Sequence, residues 1–341
     1  MTVNPIINCP EGVLDMPALV TVACLAYNHE DYIARALESM LCQQTDFPYE
    51  ILVHDDASTD RTAEILRDYE TRYPGKIRGY YETENQFYNP DVNIIRDLLI
   101  PISSGEYIAF CECDDSWTDP HKLQRQVDFL RSHPDYSMCV HAAYKHIVGT
   151  DEAEDEVYPP EPEDRDYDAE EIIRRGAGLF ATNSFMVRKT AYVDPPKCFS
   201  MLDVGDYTLL MYAAFNGKIR YLKQPMSRHN EGVKDSWTVR IWRDPAKHVT
   251  HQKEMIALLE GIDRHYEGKY HAAFADAEEE RAKDALETEY QIALKAGDRA
   301  ALKQPRFHEL VKRDRKIAFH KMLNEHFSWL VKLKHTIIKD Q

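Results

Sequence analysis

Short apolar runs alternate with helix-period segments through the first 144 residues, and this alternation limits the fold more than any other feature. ALVTVACLAY (18–27), YEILVHDD (49–56), KIRGYYE (76–82), EYIAFCEC (106–113) and YSMCVHAAY (136–144) read as strands. Between the first two, HEDYIARALESML (29–41) sets Ile33, Ala36, Leu37 and Met40 at helical spacing. DRTAEILRDYETRYP (60–74) is a second helix, with Asp60 as its N-cap, and residues 92–101 are a third. Asp119-Pro120 opens the helix PHKLQRQVDFLRSH. Strand–helix–strand order predicts an α/β fold, Rossmann-like, with a mainly parallel sheet flanked by helices. Ligands of such sheets bind beyond the carboxyl ends of the strands.

Two of those carboxyl ends carry acid. Asp55 and Asp56 end the second run, and Glu112, Asp114 and Asp115 end the fourth, in FCECDDSW. Carboxylates in a cleft need compensating charge, or their pKa values rise. Glu112 and Asp114, in an ExD spacing, could share one oxygen-ligated cation such as Mg²⁺ or Mn²⁺. The alternative is a solvated acidic turn, with Asp115 or Asp119 capping the next helix. Cys111 and Cys113 form CxC without a second Cys/His pair nearby, so zinc is not expected.

Beyond residue 144 the pattern continues less regularly. Residues 148–167 are acidic and carry prolines, as a loop or crossover would. DAEEIIRRG (168–176) has a capping box and a terminal Gly176. GAGLFA (176–181) follows a helix rather than a strand, which argues against a dinucleotide site. TNSFMVRK (182–189) and KIRYLKQ (218–224) read as strands, and VGDYTLLMYAAFNG (204–217) as a helix starting near Asp206. From about 245 onward the chain is helical and charged. Two parts are expected. Residues 1–240 form one domain, split into halves at about 18–118 and 119–240, and 241–341 form a helical extension.

The net charge is −16 over 341 residues, which disfavours nucleic acid as a partner. The charge is uneven: 151–171 holds twelve acids and one Arg, while 301–341 holds ten Lys/Arg against four acids. In that tail Phe319, Met322, Leu323, Phe327, Leu330, Leu333 and Ile337 recur at helical spacing among lysines. Such a face suits packing on protein, a second copy included, or peripheral attachment to an anionic membrane. The seven cysteines are irregularly spaced and fit reduced thiols. No signal peptide opens the chain and no apolar run reaches about 18 residues, so a cytoplasmic location is expected.

Taken in order, VACLAYNHEDYIARALES, ILVHDDASTDRTAEIL, GEYIAFCECDDSWTDPHKLQRQVDFL and VGDYTLLMYAA resemble the family-2 glycosyltransferases of GT-A fold, above all their bacterial surface-polysaccharide branch. The resemblance covers roughly residues 18–237. It implies an inverting, divalent-metal-dependent enzyme that moves a sugar from a nucleotide-sugar, expected to be a UDP-sugar, to a glycan or lipid-linked acceptor. It implies that Leu25 and Tyr27 lie against the base, that Asp56 bonds the uracil edge, and that Arg96 helps hold the nucleotide. Glu112 and Asp114 match the two acids of the DxD motif, with Mn²⁺ or Mg²⁺ as cofactor, and Asp115 matches an acid facing the donor sugar. Asp206 matches the general base, with Asp203 as a weaker alternative. Thr182-Asn183-Ser184 matches an acceptor-side segment, and Trp117 either walls the acceptor site or only packs. SRHNEGVKDSW (227–237) matches a flexible segment over the diphosphate, where His229 is a candidate metal or phosphate ligand.

Two rival readings differ in class. A sugar-nucleotide pyrophosphorylase should carry a basic, Gly-rich loop after the first strand, where this chain has AYNHED. A noncatalytic glycan-binding or scaffolding member of the fold would not need Glu112, Asp114 and Asp206 intact.

Overall fold

The computed structural model describes residues 17–313, apart from 88, 90, 91, 153, 154, 177, 193, 194, 201–204 and 235. The amphipathic tail and Asp203 lie outside the described residues. The described residues hold one sheet of ten strands. These are β1 (Val20–Ala26), β2 (Tyr49–Asp55), β3 (Ile77–Tyr81), β4 (Tyr107–Phe110), β5 (Ser116–Trp117), β6 (Tyr136–Ile147), β7 (Glu156–Tyr158), β8 (Arg165–Tyr167), β9 (Met186–Arg188) and β10 (Lys218–Glu231). Their order is β3-β2-β1-β4-β9-β6-β10-β5, with β7 added on β6 and β8 on β10. The half built from β3, β2, β1 and β4 is parallel throughout. Beyond β4 the pairing is mixed: β9 runs antiparallel to both β4 and β6, while β10 is parallel to β6.

The helices are α1 (Ile33–Leu41), α2 (Thr62–Arg72), α3 (Ile100–Ile102), α4 (Lys122–Ser132), α5 (Ala169–Arg175) and α6 (Gly205–Asn216). They continue with α7 (Trp237–Arg243), α8 (Pro245–His265), α9 (His271–Ala296), α10 (Arg299–Leu302) and α11 (Pro305–Arg313). α1 buries Ile33, Ala36, Leu37 and Met40, the four residues its spacing singles out. They pack on Val20, Val22 and Cys24 of β1 in the main core cluster. Cys111 and Cys113 are buried in the same cluster, as strand packing requires. The 92–101 segment winds differently from expectation, as a π-helical turn at Ile94–Leu99 that runs into α3.

The chain divides into two compact units. One takes the chain up to Ser236 together with Leu258–Ala277, and the other takes Trp237–Ala257 and the chain from Glu278 on. Aromatic packing accounts for the return of 258–277 to the first unit. Phe215 lies 4.4 Å from Tyr266 and stacks on Tyr270 at 5.0 Å, and the Arg174 guanidinium bonds Asp276 at 2.9 Å. In the second unit His248 and Gln252 both meet the Asp284 carboxylate at 2.8 Å, and Tyr290 packs on Phe307. None of the described helices is long and apolar enough to cross a membrane.

Short strands in the acidic crossover were not expected. β7 and β8 have three residues each, too few to show a period. β10 also outruns the expected strand, which stopped at Gln224. Pro225 has no N–H to give the ladder, and the register shifts between Leu222 and Ser227 before pairing resumes to Glu231.

The buried Glu50 ties the amino ends of the parallel strands together. Its Oε1 accepts from Thr21 Oγ1 at 2.7 Å and from the Ser104 N–H at 2.8 Å, and its Oε2 accepts from Arg78 at 3.0 Å. The Gly105 N–H then donates to Thr21 Oγ1 at 2.9 Å. A Cβ on Gly105 would overlap the Thr21 backbone nitrogen and come within 2.8 Å of the Val20 carbonyl carbon. Gly105→Ala is therefore expected to cost about 1–3 kcal/mol in urea unfolding, and an unchanged midpoint would contradict the tight approach.

Candidate active site

β1 and β4 deliver the acidic turn. The ladder continues past β4, because the Cys111 N–H donates to the Ala23 carbonyl at 3.2 Å and the Cys113 N–H to the Leu25 carbonyl at 2.9 Å. The chain then turns, with the Asp115 N–H on the Glu112 carbonyl at 3.0 Å. Glu112, Asp114 and Asp115 each offer a carboxylate oxygen, and these oxygens lie within 4.8 Å of one another. Burial and the neighbouring Asp114 and Asp115 charges push Glu112 up to about 8, and Asp206 adds to the rise. Burial also raises Asp114, against the opposing pull of His29 and His229.

Asp115 is the most enclosed of the three acids. Its side chain is 1% exposed and faces inward. Asn183 Nδ2 donates to its Oδ2 at 2.8 Å, the Asn230 N–H donates to its Oδ1 at 2.8 Å, and His229 Nδ1 lies 3.1 Å from Oδ2. This carboxylate fastens β10 to the acidic turn. His229 is altered by the same contact. The Asp115 charge is the main cause that raises His229 to about 10, against its burial. Nδ1 is taken by Asp115, and a carboxylate on one ring nitrogen is also what orients the other toward a ligand, so Nε2 of His229 stays a candidate for metal or phosphate. The segment around it is ordered as the end of β10, with Ser227 and Arg228 paired to Trp117 and Ser116 of β5.

Asn183 is the hub of this arrangement and is fully buried. Besides Asp115, its Nδ2 reaches the Arg228 carbonyl at 3.0 Å, its Oδ1 accepts from Ser227 Oγ at 2.5 Å, and its own carbonyl accepts from Trp117 Nε1 at 3.1 Å. Trp117 is 5% exposed and packs over Lys122 Nζ at 4.2 Å, so its place is structural. Asp206 stands in the first turn of α6, where its Oδ1 accepts from the Tyr207 N–H at 2.7 Å.

The expected base-contacting residues sit at the carboxyl ends of β1 and β2. Leu25 and Tyr27 are half-buried, Leu25 within β1 and Tyr27 just past its end. Asp56 is engaged on both oxygens: Oδ1 accepts from the Gln86 N–H at 2.6 Å and Oδ2 from the Phe87 N–H at 3.0 Å. It pins the segment after β3 against the end of β2. Arg96 joins another group of residues. Its guanidinium pairs with Asp97 at 2.5 and 2.6 Å, and it lines a small pocket with Tyr192, Phe199, Thr208 and Tyr212. Sequence reasoning missed His29, whose Nε2 lies 3.8 Å from Asp114 Oδ2, and Asn230, whose Nδ2 donates to the Asp114 carbonyl.

The donor set suits a hard divalent cation: oxygen ligands only, crowded like charge, with Glu112 and Asp114 only half-buried. The raised Glu112 has a consequence for stability. Between its ordinary 4.5 and about 8 the folded chain keeps a proton that the unfolded chain has released, so the metal-free fold weakens as pH rises through that window. A cation favours the ionised carboxylates, so its stabilising effect should grow over the same window. Thermal unfolding with and without Mn²⁺ should show a larger Tm increase at pH 8 than at pH 6, and an equal increase at both would contradict the cluster's role.

With the geometry in hand, comparison with known proteins is informative. The sequence pattern of glycosyl transferase family 2 matches residues 21–193, just over half of the chain. The uncharacterized protein Rv1520 of Mycobacterium tuberculosis is 34% identical over 218 residues, covering 63% of this chain and 60% of that relative's own length. A Bacillus subtilis protein, TuaG, carries the name putative teichuronic acid biosynthesis glycosyltransferase. It is 34% identical over 112 residues, 33% of this chain and 42% of its own. Among solved structures, S. aureus TarS 1-349 in complex with UDP-GlcNAc superposes with a TM-score of 0.54 at 17% identity, covering 86% of this chain and 79% of that one. At that identity the likeness shows the fold, a GT-A arrangement of mixed α/β type with helices following it. The pattern match over strands β1 to β9 decides the matter: the chain belongs to glycosyl transferase family 2.

Proposed function

We propose that this chain is an inverting glycosyltransferase that takes a UDP-sugar as donor and a hydroxyl of a glycan or lipid-linked acceptor, in the building of a bacterial surface polysaccharide. The observation that carries the reading is the crowding of Glu112, Asp114 and Asp115 at the end of β4, with Asp206 near enough to add to the rise of Glu112. The named relative TuaG and the UDP-GlcNAc complex of TarS support the donor and acceptor classes. Leu25, Tyr27 and Asp56 then line the nucleotide side, where the segment held by Asp56 forms one wall. Asp114, with Glu112 beside it, would hold Mn²⁺ or Mg²⁺. When bound, the cation offsets the charge of the diphosphate leaving group.

The chain's own residues do the remaining work. Asp206, at a helix start that favours an ionised carboxylate, takes the proton from the acceptor hydroxyl. The hydroxyl oxygen bonds to the anomeric carbon as the bond from that carbon to the diphosphate breaks, with inversion. His229, oriented through Nδ1 by the Asp115 carboxylate, is a candidate ligand for the metal or the diphosphate. Attachment of the basic tail to an anionic membrane would bring the enzyme to a lipid-linked acceptor.

A donor panel scored by release of nucleoside diphosphate, with and without Mn²⁺, tests this reading. Asp206→Asn is expected to lower kcat about 10²–10⁴-fold, the usual contribution of a positioned base. Asp114→Asn should abolish the response to Mn²⁺. Wild-type transfer by both variants on the acceptor would overturn the site assignment, and transfer unaffected by chelation would overturn the metal.

A further inference from the structure

We infer that His29 is a positioning residue for Asp114, reaching the carboxylate cluster from the turn after β1. The inference rests on the metal reading above and extends the site to a residue from a separate stretch of chain. His29 Nε2 lies 3.8 Å from Asp114 Oδ2, and the two side chains are 15% and 16% exposed. That separation is longer than a hydrogen bond, so the ring faces the carboxylate without occupying it. Its second ring nitrogen, Nδ1, is buried and has no hydrogen-bond partner among the described residues. A buried N–H without an acceptor is costlier than an unused lone pair, so the neutral ring carries its proton on Nε2, the atom that faces Asp114.

The turn that carries His29 is fixed from several directions. The His29 N–H donates to Thr62 Oγ1 at 2.8 Å, where α2 begins. The His29 carbonyl accepts from the N–H groups of Tyr32 at 2.9 Å and Ile33 at 2.8 Å, where α1 begins. Asn28 adopts a left-handed conformation, φ 55°, that Asn tolerates better than most residues. Its N–H donates to Ser58 Oγ at 2.9 Å and its Oδ1 accepts from the Thr59 N–H at 2.8 Å. An imidazole on so rigid a base has little freedom to leave Asp114. The Asp114 main chain is held on the other side, where Asn230 Nδ2 donates to its carbonyl. The backbone is thus set by β10 and the carboxylate by His29. One Asp114 oxygen faces the ring, and a carboxylate oxygen of Asp114 lies within 4.8 Å of those of Glu112 and Asp115.

Binding of Mn²⁺ alone to the full chain, followed by the electron paramagnetic resonance of free Mn²⁺, tests this without turnover. His29→Ala should raise the Mn²⁺ Kd about 10–100-fold, the range found when a residue orienting a metal ligand is removed. Glutamine places an amide N–H near the Nε2 position and asparagine places one near Nδ1, so His29→Gln should restore most of the affinity and His29→Asn should behave like the alanine variant. A purely structural role would not separate the two amides. Melting in EDTA reports whether each variant folds, and if the alanine variant does not, the glutamine and asparagine pair still decides the matter. Asp114→Asn runs beside them. If it abolishes Mn²⁺ binding while His29→Ala leaves the Kd unchanged, or if Gln and Asn act alike, the role of His29 is overturned and the metal reading stands. If Asp114→Asn binds Mn²⁺ like the wild type, the metal reading fails and the role of His29 fails with it.

Discussion

Three carboxylates held within 4.8 Å of one another repel, and the rest of the site is arranged around that repulsion. The chain relieves it unevenly. Asp115 is bonded from inside by Asn183 and the Asn230 N–H, with the His229 ring beside it, and becomes part of the frame. Glu112 and Asp114 receive no comparable set of donors, and both are pushed up from their ordinary range. The repulsion is therefore left on the two half-buried members of the cluster, which hold protons more readily than ordinary carboxyls. That is the condition under which an oxygen-preferring divalent cation gains most from binding.

The fold explains why the acids meet there. β1 is paired on both sides, by β2 and β4, in parallel, so the ends of all three strands open on one edge. The ladder to β1 continues through Cys113, which carries the acidic turn beyond the last paired residue of β4. The opposite wall comes from β10. The bulge after Leu222 absorbs Pro225 and lets the strand resume as far as Glu231, which sets His229 and Asn230 against Asp115. Without that resumed pairing, Asp115 would lose two of its three partners.

Much of this was legible in the chain and some of it was not, for physical reasons. The strands of the parallel half and the buried face of α1 follow from local periodicity, so their limits came out within a few residues. Strand ends carrying Asp55-Asp56 and Glu112/Asp114/Asp115 were visible as charge where a buried run stops. The division of labour within the acidic turn was not visible, because it is set by distant residues: Asn183 lies 68 positions from Asp115 and His229 lies 114. Arg96 illustrates the same limit. The resemblance implies a nucleotide contact for it, and the sequence gives no sign of the π-helical turn and Asp97 that place its guanidinium in a pocket beside α6. β5, β7 and β8 are two or three residues long and leave no period to read. A lone histidine in AYNHED gives no sign that it faces Asp114, since that proximity exists only once β1 and β4 are adjacent.

The central claim is that the charge left on Glu112 and Asp114 is matched by a divalent cation. Anomalous diffraction at the manganese edge, from crystals grown with Mn²⁺ and UDP, tests it most directly. The account predicts one strong peak in contact with the Asp114 carboxylate, on the cleft side and between the protein and the diphosphate. A peak bound only elsewhere, or ordered UDP in the cleft with no peak beside Asp114, would contradict it.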